Sequence, residues 1–195
     1  MGEHMKQIRI FIVALSLSAI SSPAFGAART GHMTEEVAQT KFLNIRVNPL
    51  GLALGSLSGE ADFRIGDKFT IGPSLSHFSA NFFFTELTGW GIGARSNYYL
   101  TGSVFQDSWI VGTSVGLSTT KVRLGNEEAS NIGAFVHALI GYQFVFKSGL
   151  NLQLALGGSW FSQDSEMTTE QGTVIDVPFY HGVKPAAEFT VGYLF

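Results

Sequence analysis

The chain has 195 residues, enough for one domain with a sizeable core, and no cysteine, which excludes disulfides and thiol chemistry. Charged residues make up only 14%, against roughly 25% in a typical soluble domain, while Gly (23) and Phe (17) are abundant. A formal net charge of −3 leaves no basic footprint for nucleic acid.

The first segment reads as a targeting sequence. From Met5, an alternative start to Met1, Lys6 and Arg9 precede the apolar run Ile10 to Ile20, and Ala24 and Gly26 supply the small residues of a cleavage site. The expectation is a signal peptide over 1–26, removed after Gly26, and hence export from the cytoplasm. Its apolar run is too short to span a bilayer comfortably as a helix. Residues 27–41, AARTGHMTEEVAQTK, show no apolar period and read as a flexible leader.

From there to the end, alternation with period two dominates. It predicts eight strands at 42–54, 57–66, 69–79, 88–99, 108–119, 131–146, 150–160 and 184–195. Pro49 marks a bulge or edge-like irregularity in the first strand, with Asn48 available to satisfy backbone groups. The first hairpin is expected near Ser56 to Ser58. Short polar turns follow at 66–68 and 147–149, and longer connections at 81–89, 101–107, 121–130 and 162–182. The glycine-rich GLALGSLSG lacks the lysine and the strand–helix setting of a nucleotide loop, and no motif calls for a cofactor.

Side-chain size assigns the two faces. In the last strand Phe189, Val191, Tyr193 and Phe195 share one face, opposite Glu188, Thr190 and Gly192. The later strands repeat this division into a bulky, almost uncharged face and a face of Gly, Ser and Thr with isolated charges. The interior of an eight-stranded barrel is just wide enough for side chains, so the small face belongs inside. The bulky face then meets hydrocarbon, and closure satisfies the backbone groups, as lipid requires. The fold expected is an all-β, eight-stranded antiparallel up-and-down transmembrane barrel. Trp90, Tyr98, Trp109, Trp160 and Tyr193 are placed near strand ends, where amphipathic rings suit the headgroup level.

The inward set holds Arg46, Glu60, Asp62, Arg64, Arg95 and Glu188, joined by His137 and Gln153. Buried charges need partners, so these residues are expected to form a polar network filling the lumen. A narrow pore or small-solute channel is the alternative. His77 and Ser79 lie on the outward face at i and i+2, with Glu86 following. Such a trio can activate a hydroxyl for ester hydrolysis.

These features resemble outer-membrane β-barrels. The alternation over 42–195 resembles the OmpA/OmpX-like eight-stranded barrels, and NPLGLALGSLSGEADFR resembles the start of an uncharacterised family of bacterial outer-membrane barrels. The His77-Phe78-Ser79 run resembles the His-x-Ser of barrel lipid A deacylases, although there the pair lies late in the barrel with its acid on a neighbouring strand. A terminal strand ending in Phe195, with Phe189, Val191 and Tyr193 behind it, resembles the signal read by the barrel assembly machinery. The resemblance implies a multi-pass protein of the outer membrane, in contact with lipid and lipopolysaccharide, and attended by the assembly machinery and periplasmic chaperones. It places both termini in the periplasm and residues 55–58, 80–87, 120–130 and 161–183 outside the cell. The expected function is a non-enzymatic structural, adhesive or surface-interaction barrel, with specificity in the outer loops 120–130 and 161–183.

Overall fold

The computed structural model describes residues 35–195 except 54, 83–84, 126, 165, 170–171, 173 and 177–180. The expected signal peptide over 1–26 and the first part of the expected leader lie outside the described residues. Eight strands form a closed antiparallel barrel in the order β1-β10-β7-β6-β5-β4-β3-β2. They are β1 (Leu43–Val47), β2 (Ser56–Arg64), β3 (Phe69–Phe82), β4 (Thr85–Tyr99), β5 (Ser108–Leu124), β6 (Glu127–Val145), β7 (Leu150–Ser162) and β10 (His181–Leu194). Two three-residue strands, β8 (Glu166–Thr168) and β9 (Val174–Asp176), pair with each other between β7 and β10.

Alternation decides which residues face inward. On β6, Phe135, His137, Leu139 and Gln143 point in, while Ile132, Val136 and Ile140 point out. Trp90, Ile132 and Leu156 are 66%, 70% and 66% exposed, whereas Arg46 is 1% and Gln153 0% exposed. This inverts a soluble barrel, whose large apolar side chains would be interior. Gly192 faces inward opposite Arg46, and a Cβ there would lie 2.4 Å from the Arg46 Cγ. The interior is wide enough for the guanidinium stem only because that position has no side chain.

Several local expectations are corrected. The first strand stops at Val47, not at 54, because Pro49 opens a short helix, Pro49–Ala53. Asn48 caps it, its Oδ1 accepting from the Gly51 N–H at 3.1 Å. There is accordingly no tight first hairpin near Ser56. The end of the leader forms a helix, Glu35–Thr40, with Ala38 buried. The connections expected over 81–89 and 121–130 are largely strand, since β3–β4 and β5–β6 continue their pairing to Phe82–Thr85 and Leu124–Glu127. Trp90 consequently sits well inside β4 rather than at its end.

The end of the barrel that carries Phe195 has an apolar floor. The connection from β4 to β5 turns inward there, with Phe105 at φ 67°, an uncommon conformation for a non-glycine residue. Val104 and Phe105 are fully buried against Tyr99, Ile110, Val145, Leu194 and Ala38. At the far end, Met167 of β8 packs on Leu87, Val122 and Ala129, with Phe78 alongside. Gln163 braces this roof, donating to the Ser118 carbonyl at 2.9 Å and accepting from Thr120 at 3.0 Å.

Closure is uneven around the ring. β10 pairs with β7 from His181 to Tyr193, but with β1 only from Val191 to Leu194. Among the described residues no strand pairs with the other edge of β10 from His181 to Thr190. The helix Pro49–Ala53 stands in that gap, against both β2 and β10. The ladder that closure was expected to continue along every strand edge is replaced at this seam, among the described residues, by a helix.

Candidate functional site

The interior polar residues converge from five strands. Arg46 of β1 meets Glu60 of β2 at 3.2 Å and Asp62 at 2.6 Å, and donates to the Gln153 side chain of β7. Arg95 of β4 meets Glu60 at 3.0 Å and grips Glu188 of β10 with two parallel bonds, 2.5 and 2.9 Å. Gln153 also donates to Glu188 at 3.0 Å, and Asn97 donates to Asp62 at 3.0 Å. The paired forks on Glu188 are the strong geometry for a guanidinium and a carboxylate. The network ties β1, β2, β4, β7 and β10 across the lumen.

Arg64 was expected in this network and stands apart from it. It lies near the end of β2, where its Nη2 donates to the Ala38 carbonyl at 2.6 Å and the Val104 carbonyl at 2.9 Å. Its guanidinium also lies 5.3 Å from the Phe105 ring centroid. Period two fixes which face a residue occupies, and the position of Arg64 along the strand brings it to the floor instead. The interior set is thus two guanidiniums against three carboxylates. His137 faces inward too, but its Nδ1 lies 2.6 Å from the Ser159 Oγ of β7, and its ring packs edge-on against Phe135 and Phe161.

Above the network lies a cavity of about 400 Å3. Arg46, Glu60, Arg95, Glu188 and Thr190 line its base, with inward serines of β2, β3, β5 and β7, and Phe135 and Leu139 beside them. Val47, Leu75, Pro185 and Ala187 also line it, although the strand alternation puts these four on the outward face. Val47, Pro185 and Ala187 flank the seam between β2 and β10, and Leu75 lies one strand further, on β3, so the cavity reaches the wall of the barrel beside the seam. Thr190 is only 3% exposed, and its hydroxyl is buried without a hydrogen-bond partner.

The outward trio does not assemble. The His77 ring packs on Trp90 with centroids 4.3 Å apart, and among the described residues no hydrogen bond joins it to Ser79. Glu86 pairs with Arg123 at 3.5 Å and lies opposite Asn81, four residues along β3 from His77, a separation of roughly 13 Å. Of the terminal aromatics, Tyr193 and Phe195 pack edge-on at 5.0 Å on the same side of β10 as Phe189 and Val191. No protein-family model, curated protein or solved structure matches the chain.

Thr190 was placed on the inward face by the sequence, whereas Ser159, the floor loop and the seam beside Pro185 did not emerge from it. Pro185 carried a usable signal, because a proline within an alternating strand belongs on an edge.

Proposed function

We propose that this chain is an outer-membrane barrel that conducts no solute and acts in structural or surface contacts at its far rim. The observation that carries the reading is the ring of exposed Trp, Ile, Leu and Val side chains around a barrel whose charges, among the described residues, are turned inward or to the rims. Soluble monomers rarely expose contiguous apolar patches beyond a few hundred Å2. The interior supports the non-conducting part, since the ion-pair network lies between an apolar floor and roof. The far rim offers Lys121, Arg123, Glu128 and the β8–β9 pair for contact with a partner. For the lipid-esterase alternative, His77, Ser79 and Glu86 are not brought together as a catalytic group among the described residues.

Two measurements test the reading on one preparation. Expressed protein should fractionate with outer membranes and migrate faster before boiling than after it. Reconstituted into planar bilayers, it should show no discrete current steps. A chain that stays soluble without detergent overturns the membrane assignment, and reproducible unitary conductance overturns the closed lumen.

A further inference from the structure

We propose that the interior cavity binds a single-chain amphiphile with an amine-bearing head, which enters sideways through the seam between β10 and β2. The inference rests on the membrane reading above and adds a ligand site to it.

Three observations converge. The first is access. Val104 and Phe105 close the floor, and Met167 and Gln163 cover the mouth over β4–β6. Among the described residues, the wall beside His181–Thr190 is open to something other than strand, where β1 has ended and the helix Pro49–Ala53 stands in its place. Pro185 lies in this edge and has no N–H to offer a neighbour. Leu50 and Leu52 of the helix are exposed, 56% and 61%, and they add to the apolar surface of Val47 and Ala187 beside the seam. An alkyl chain approaching from the bilayer meets apolar surface as far as the cavity itself.

The second is the unmet hydroxyl. Thr190 lines the cavity, nearly fully buried, with no partner for its Oγ1. A buried hydroxyl left unpaired is costly, and a polar head in the cavity satisfies it. The third is charge. Arg46 and Arg95 face Glu60, Asp62 and Glu188, leaving one carboxylate in excess in the network. The next positive side chain on the inward column of β10, Lys184, is four residues nearer the rim. An ammonium head beside Glu60 and Glu188 balances the excess, whereas an anionic head adds to it. About 400 Å3 is at the small end of ligand cavities, roughly 300–1,000 Å3, and suits one chain and its head rather than a two-chain lipid.

The absence of cysteine makes a direct test available. Ser76→Cys places a single thiol on the cavity wall, and the full barrel is reconstituted in vesicles of two-chain phospholipid. The rate of alkylation by a small maleimide is then read with lysophosphatidylethanolamine added. Protection should reach about tenfold at a lipid level about ten times Kd, by mass action. Lysophosphatidylglycerol of the same chain length, and glycerophosphoethanolamine with no chain, should protect at least several-fold less. Thr190→Val should weaken protection while leaving heat-modifiable migration intact. No slowing by either lysolipid means that the cavity holds water only and overturns the site. Equal slowing by the two lysolipids overturns the amine preference, and equal slowing by the chainless head overturns entry from the bilayer. Unchanged protection in Thr190→Val removes that hydroxyl from the site. Migration on the same samples separates these outcomes from a failure of the membrane reading, which would show as a barrel that never enters vesicles.

Discussion

Glu188 shows how one side chain can hold a wall in register. It takes both forks of Arg95 and the amide of Gln153, so it links β10 to β4 and β7 at once. Glu188→Ala leaves Arg95 buried with Glu60 and the Asn97 amide oxygen as its partners and should cost about 3–5 kcal/mol. Urea unfolding of the barrel in lipid vesicles reads this directly, and a midpoint like that of the wild type would remove the pairing from the stability account. At the rim the electrostatics are of another kind. A hydrogen bond from Lys121, then one from Arg123, hold the exposed Glu128 carboxyl below its ordinary value of 4.5. A depressed carboxyl contributes its stability above the ordinary value and loses it as pH falls through the lower folded value. For an exposed pair this contribution is small and screened by salt. A side-chain NMR titration should therefore find Glu128 titrating low, and rising toward the ordinary value in Lys121→Gln. The interior charges were legible in the sequence because isolated charges on the small-residue face have nowhere else to go. The inward facing of Thr190 was legible as well, but not that its hydroxyl lacks a partner while that of Ser159 has one, since nothing local distinguishes a partnered hydroxyl from an orphaned one.

At the scale of elements, alternation named all eight barrel strands and their faces, and missed mainly how far they run. β5 continues through Thr120 and Val122, β-branched residues that suit a strand, and β6 begins at Glu127, within what read as a loop because charges cluster there. The helix Pro49–Ala53 was misread as a strand irregularity. Asn-Pro followed by two leucines fits a capped turn as well as a bulge, and only the missing partner on β10 decides between them. The outward face gives a sharp prediction. Leu156→Arg, in the middle of β7 between Ile140 and Ala187, should lower folding stability in a bilayer by about 2–4 kcal/mol. Vesicle refolding yields would report it. A substitution as well tolerated as one at a rim would mean that β7 does not face hydrocarbon.

For the molecule as a whole, the floor matters as much as the wall. It joins the leader helix, the β4–β5 connection, the end of β10 and Arg64 in one buried cluster, so both ends of the described chain are fastened to the same place. Phe105→Ala removes a fully buried ring from it and should cost about 3–5 kcal/mol in the same urea assay. The sequence did not reveal this floor, because Ala38, Val104 and Phe105 come from segments without periodicity and meet the strand residues Tyr99, Ile110, Val145 and Leu194 only once the barrel has closed.

The short contact between β1 and β10 also bears on how the protein forms and fails. Hairpin neighbours along β3 to β7 can zip locally, whereas Asn44 and Leu194 are 150 positions apart and share a ladder of only four residues. Such distant pairing is slow to find, so the ring should complete last, by a brief clasp onto an already assembled sheet. The same clasp is the weakest line under load. A pull on the amino terminus should peel β1 away first and leave a curved seven-stranded sheet, still stitched by its longer ladders, from which the ring can snap shut again.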